Sequence, residues 1–148
     1  MNDKHCVSLE IAKQLKEAGW KKETEFWWEK IFVIETAKLY PQEKVLSIRL
    51  VKGKPIISEE DDGVLFYPAP LATEILEELP EEFEYKEHTY RLQIGKNDKW
   101  YAVWYDSTDK IEINSAWSKL TFNEENEDTL PNALAKMWLY LKKERLIE

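Results

Sequence analysis

The sequence predicts an α+β fold: a mainly antiparallel sheet with a short N-terminal helix, a middle helix and a C-terminal helix packed on it. Three observations predict it. Apolar residues recur at helical spacing in three separate segments, near the start, in the middle and at the end. The stretches between are rich in aromatic and β-branched residues. The strand segments are grouped between helices instead of alternating with them one by one, which favours an antiparallel sheet with helices gathered on one face.

Taken in order, Ser8 is a candidate N-cap. Ile11, Leu15 and Ala18 then recur at helical spacing, and Gly19 supplies a stop, giving a helix over about residues 9–18. Residues 25–36, Glu-Phe-Trp-Trp-Glu-Lys-Ile-Phe-Val-Ile-Glu-Thr, read as a strand. Tyr40-Pro41-Gln42-Glu43 reads as a turn and Val45–Val51 as a second strand, closed by Gly53 and Pro55. Ile56-Ile57-Ser58 is a short extended piece, and Glu59-Glu60-Asp61-Asp62-Gly63 an acidic loop. Val64–Tyr67 is apolar. Leu71, Ile75, Leu76 and Leu79 then define the middle helix, which Pro80 ends.

Residues 83–94 and 99–106 read as a hairpin about a Gly95-Lys96-Asn97-Asp98 turn. Ile111-Glu112-Ile113 is a weaker extended segment, and residues 123–128 read as a second acidic loop. Thr129 caps the last helix, Pro131 sits in its first turn, and Leu134, Met137, Trp138 and Leu141 form its apolar stripe. Lys142, Lys143 and Arg145 stand where cations complement the helix dipole. That stripe reads first as core, and a homodimer seam is its second use. No repeat, low-complexity tract or linker divides the chain, so residues 1–148 read as a single domain.

Composition bounds the function. The chain has 148 residues and a formal charge of −8, distributed unevenly. Residues 1–54 hold 11 Lys/Arg against 8 Asp/Glu, and residues 55–148 hold 10 against 21. That balance argues against duplex nucleic acid as a partner, since such binding depends on neutralising phosphates. No apolar run approaches the ~18 residues of a membrane span. The single cysteine, Cys6, permits neither an intrachain disulfide nor a cysteine zinc motif, and it fits a reducing cytoplasm.

Chemistry-bearing motifs are scarce. The two histidines, His5 and His88, lack any His-x-x-x-His or Cys-x-x-Cys context, so no metal site is expected. A Cys6–His88 catalytic pair would need the two to meet in space with a third orienting group. The Glu59–Gly63 run lacks the alternating ligands and distal Glu of an EF-hand loop. The four glycines are isolated, with no phosphate-binding loop and no Gly-x-Ser-x-Gly elbow. No cofactor is expected.

The aromatic strands remain. Trp27 and Trp28 must point to opposite faces, and so must Trp100 and Tyr101. Both faces are thus supplied with rings. Whichever face the helices leave uncovered is a candidate binding surface, able to stack on a base or to anchor a protein. The candidate residues are Trp27, Trp28, Arg49, Tyr67, Arg91, Trp100 and Trp104, the arginines serving phosphate or carboxylate.

Three segments carry a resemblance. They are Val7-Ser8-Leu9-Glu10-Ile11-Ala12-Lys13-Gln14-Leu15-Lys16 leading into Phe26-Trp27-Trp28, Tyr67-Pro68-Ala69-Pro70-Leu71 with its helix to Leu79-Pro80, and Asp128-Thr129-Leu130-Pro131-Asn132-Ala133-Leu134-Ala135-Lys136-Met137-Trp138-Leu139. Together they resemble a group of small phage- and prophage-encoded proteins, mostly uncharacterised. The resemblance implies an accessory role inside a bacterial cell and brings no catalytic residues. The resulting expectation is non-enzymatic binding of a host protein, as a counter-defence inhibitor does. The alternatives are sequestration of a small nucleotide signal and an enzyme of unfamiliar kind.

Overall fold

The computed structural model describes residues 3–35, 40–53, 63–107 and 121–147. The fold is α+β, with its antiparallel strands in two sheets where the sequence suggested one. The chain divides into two compact units, Met1–Leu71 and Ala72–Glu148.

In the first unit a single 3₁₀ turn (Asp3–His5) precedes α1 (Leu9–Glu17). Ser8 caps α1 as expected, its hydroxyl accepting from the Ile11 N–H at 3.5 Å. Gly19 follows at φ +88°, a left-handed stop that favours glycine. The sheet holds β1 (Phe26–Glu35), β2 (Gln42–Lys52) and β3 (Val64–Pro68) in the order β2-β1-β3. Each pairing is antiparallel. β2 begins at Gln42, so the expected turn gives up its last two residues to the strand.

Register assigns the side chains to faces. Phe26, Trp28, Lys30, Phe32 and Ile34 of β1 lie opposite Lys52, Leu50, Ile48, Val45 and Glu43, and together they make the first face. Trp27, Glu29, Ile31 and Val33 lie opposite Val51, Arg49, Ser47 and Lys44 on the second. A bulge between Ile31 and Phe32 leaves Leu46 as the extra residue of β2.

α1 and its lead-in sit on the first face, at the end marked by Phe26, Trp28 and Tyr67. The Trp28 indole donates to the Val7 carbonyl at 2.9 Å. Lys16 donates to the Phe66 carbonyl at 2.9 Å. Lys13 and Lys16 stand over the Tyr67 ring. Val7, Ile11, Ala12, Leu15 and Phe26 are buried there.

The second unit runs α2 (Ala72–Glu78), β4 (Glu82–Tyr85), β5 (His88–Lys96), β6 (Trp100–Asp106), β7 (Thr121–Glu127) and α3 (Leu130–Lys143). The strands pair antiparallel in the order β4-β5-β6-β7. α3 packs on β6, β7 and α2. The expected stripe of α3 is core, with Leu134, Met137, Trp138 and Leu141 all buried. Thr129 caps the helix through Asn132 N–H at 3.4 Å.

Three readings change here. Residues 83–94 are two strands folded at Lys86 and Glu87, whose φ values of 49° and 68° are those of a mirror-image hairpin turn. Such turns usually carry Asn or Gly, and neither stands here to signal it. Gly95 belongs to β5, not to the turn, because the Tyr101 ring lies across it where any Cβ would collide. Residues 121–127 form strand β7 despite their carboxylates, since pairing with β6 outweighs a poor intrinsic preference. The expected segments at Ile56–Ser58, at 59–62 and at Ile111–Ile113 lie outside the described residues.

Candidate functional site: an uncovered hairpin and an Asp–His pair

The helix covers only one end of the first sheet. Toward the other end β1 and β2 continue as a two-stranded hairpin whose apolar side chains face outward. Seven large hydrophobic residues are exposed among the described residues, and all but Leu76 belong to or adjoin this hairpin: Val33, Ile34, Tyr40, Val45, Leu46 and Ile48, at 42–74%. Ile34, Val45 and Ile48 share the first face with Phe32, and Leu46 projects at the bulge. Lys30 sits among them with its stem buried, its ammonium over the Phe32 ring and paired with Glu43. Scattered exposed hydrophobics mean little, but a contiguous group rimmed by charge marks an interaction surface.

The seven residues singled out from the sequence are divided between the two units, four in the first and three in the second. Trp28 and Tyr67 are directly paired and held under α1. Trp27 lies on the second face, half-buried, with its indole nitrogen buried and unbonded among the described residues. Arg49 is committed to the buried Glu29 carboxylate, Nε to Oε1 at 2.5 Å. In the second unit Arg91 pairs with Glu82 at 3.1 Å on the surface, an arrangement worth about 0–1 kcal/mol. Trp100 is half-buried under Lys96. Trp104 is 0% exposed and offers no ring to a ligand, contrary to expectation. It sits on the sheet face that α3 covers, so its large apolar surface is spent on the core.

Two features escaped the sequence reading. One is the exposed hairpin, whose signal was the Val45-Leu46-Ser47-Ile48 run: two-residue alternation fails there because of the bulge. The other is a pair on the second sheet. His88 Nδ1 lies 2.6 Å from Asp106 Oδ2, with the carboxylate 4% and the imidazole 47% exposed. Tyr90 is directly opposite Asp106, stacked on Phe83 with centroids 5.5 Å apart. A buried carboxylate beside Nδ1 fixes the orientation of an imidazole. Among the described residues no group of three or more metal-ligating side chains forms.

Burial pushes the Tyr90 phenol above the ordinary tyrosine value of 10.0, and Asp106 and Tyr85 push the same way. Tyr140 is raised too, by burial and then by Glu144 and Tyr85. A proton held more tightly in the folded state stabilises the fold fully below the unfolded value, and this contribution is lost as pH rises through the folded ones. Thermal melts across the alkaline range are therefore expected to fall less steeply for a Tyr90→Phe/Tyr140→Phe variant than for the parent. Identical slopes would remove these two phenols as the cause.

Comparison with protein-family models, with curated proteins and with solved structures gave no match. Among the described residues no helix is long and apolar enough to cross a membrane.

Proposed function

We propose that the chain is a small non-enzymatic binding protein that docks a protein partner through the β1–β2 hairpin. In the phage-type accessory setting the sequence resemblance implies, that partner is a host protein. One observation carries the reading: the outer end of the hairpin presents Ile34, Val45, Leu46 and Ile48 to solvent while the same sheet face is covered by α1 at its other end. Interface energy concentrates where apolar side chains are fully desolvated by a partner. The nucleotide-sequestering alternative draws less support, since Trp104 is fully buried and the Trp28 indole is held by the Val7 carbonyl, which leaves fewer rings for a base to stack on.

The test is a comparative capture from bacterial lysate, with mass spectrometry of what is retained. A Leu46→Glu/Ile48→Glu variant is expected to lose the captured protein while its stability changes by no more than about 0.5 kcal/mol. An Arg91→Ala control is expected to keep it. Retention by the hairpin variant at parental levels would sink the reading.

A further inference from the structure

Among the described residues β2 pairs on one side only, with β1. Its outer edge therefore presents a row of backbone donors and acceptors, the template on which another strand can add. The two faces of β2 differ in chemistry. The first carries Val45, Ile48 and Leu50 between Glu43 and Lys52, and the second carries Gln42, Lys44, Ser47, Arg49 and Val51. Lys44, Arg49 and Lys52 are well exposed, and their carboxylate partners, Glu35, Glu29 and Glu25, come from β1 or the residue before it. The strand edge is thus cationic and amphipathic, within a chain of net charge −8.

We infer that β2 accepts an extended segment of a partner protein as an added strand, and that this segment alternates apolar with acidic residues. This deepens the docking reading above and rests on it. The alternation follows from the two-residue period of a strand. On the far side of the bulge, incoming side chains beside Ile48 and Leu50 share the apolar face and the one between them stands beside Arg49; on the near side, the one beside Val45 is adjacent to the one beside Lys44. Opposite charges directly across a strand pair are favourable and like charges unfavourable.

The lysines and the bulge at Leu46 are also devices that discourage indiscriminate edge pairing. A strand supplying carboxylates answers the lysines, so the edge selects among strands and does not simply refuse them. A second copy's β2 is a poor occupant, because three cations against one carboxylate would face the same set. A nucleic acid strand would meet the cations but offers neither the alternating apolar groups nor the backbone pairing.

The experiment uses the full chain with fluorescent synthetic peptides of strand length, read by anisotropy and by amide hydrogen exchange. One peptide alternates Val and Glu, a second Val and Lys, and a third is the first with alternate backbone nitrogens methylated; an oligothymidylate completes the set. The Val/Glu peptide is expected to bind and to slow exchange in β2. The Val/Lys peptide is expected to bind at least about tenfold more weakly. The methylated peptide is expected not to bind, and a Lys44→Glu/Lys52→Glu variant to reverse the charge preference. Binding of the methylated peptide as well as its parent, no binding of the Val/Glu peptide, or preference for the oligothymidylate would each overturn strand addition. The two ideas fail separately. A Leu46→Glu/Ile48→Glu variant that keeps its captured protein refutes docking at the hairpin, whereas loss of that protein together with any of these peptide outcomes refutes strand addition alone.

Discussion

Replacing Trp104 with alanine is expected to destabilise the protein by about 3–5 kcal/mol, a large share of the ~5–15 kcal/mol that holds a typical domain together. Trp104 is fully buried on a central strand of the second sheet. Leu92 stands directly across from it on β5. The Phe83 ring meets it edge-on at 4.9 Å and 78°, an arrangement favoured by the ring quadrupoles. Truncation removes the indole and leaves a cavity between strands whose backbone pairing resists collapse. The indole nitrogen makes no hydrogen bond among the described residues, so Trp104→Phe forfeits ring area without forfeiting a bond and should cost distinctly less. Denaturant unfolding followed by circular dichroism measures both. Equal losses for Ala and Phe would show that cavity size is not what matters at this position.

Leu15→Ala is expected to cost about 2–5 kcal/mol, and the same change at Leu46 no more than about 0.5 kcal/mol. Leu15 is fully buried on α1, beside Ile11 and Ala12. Leu46 is 56% exposed at the bulge. The chemistry removed is identical, so the contrast isolates burial. It also bears on function, because a leucine that contributes little to folding yet faces water is free to serve an interface. A Leu46→Ala loss comparable to that of Leu15→Ala would mean the hairpin surface is part of the core.

Much of the fold was legible in the sequence because caps and apolar periodicity are local signals. Ser8 and Thr129 announce α1 and α3, and the Leu134/Met137/Trp138/Leu141 stripe shows which side of α3 is buried. The Lys86–Glu87 turn was not legible. Its positive φ values occur at residues with no special liking for them, so the flanking strand pairing imposes them. Strand β7 was masked by its own carboxylates for the same reason. The site was less legible still. Alternation shows which side chains share a face, but not how far α1 reaches along it. That reach decides that Trp28 and Tyr67 are covered while Ile34 and Val45 are not. Likewise His88 and Asp106 are distant in sequence, and only the β5–β6 pairing brings them together.

The uncovered end of the hairpin also governs how the protein behaves when crowded with copies of itself. Each molecule carries both a sticky patch and a net charge of −8, and these act over different ranges. Charge repulsion reaches about 10 Å at 0.1 M salt but only about 3 Å at 1 M, whereas apolar contact acts only at touching distance. Low ionic strength therefore keeps copies apart before the patches can meet. Concentrated salt, or a pH near the isoelectric point of about 5.0, removes that barrier and leaves the patches to drive coalescence. Colloidal stability in this protein rests on long-range repulsion standing guard over a short-range attraction, and the ionic strength of the solution sets which of the two prevails.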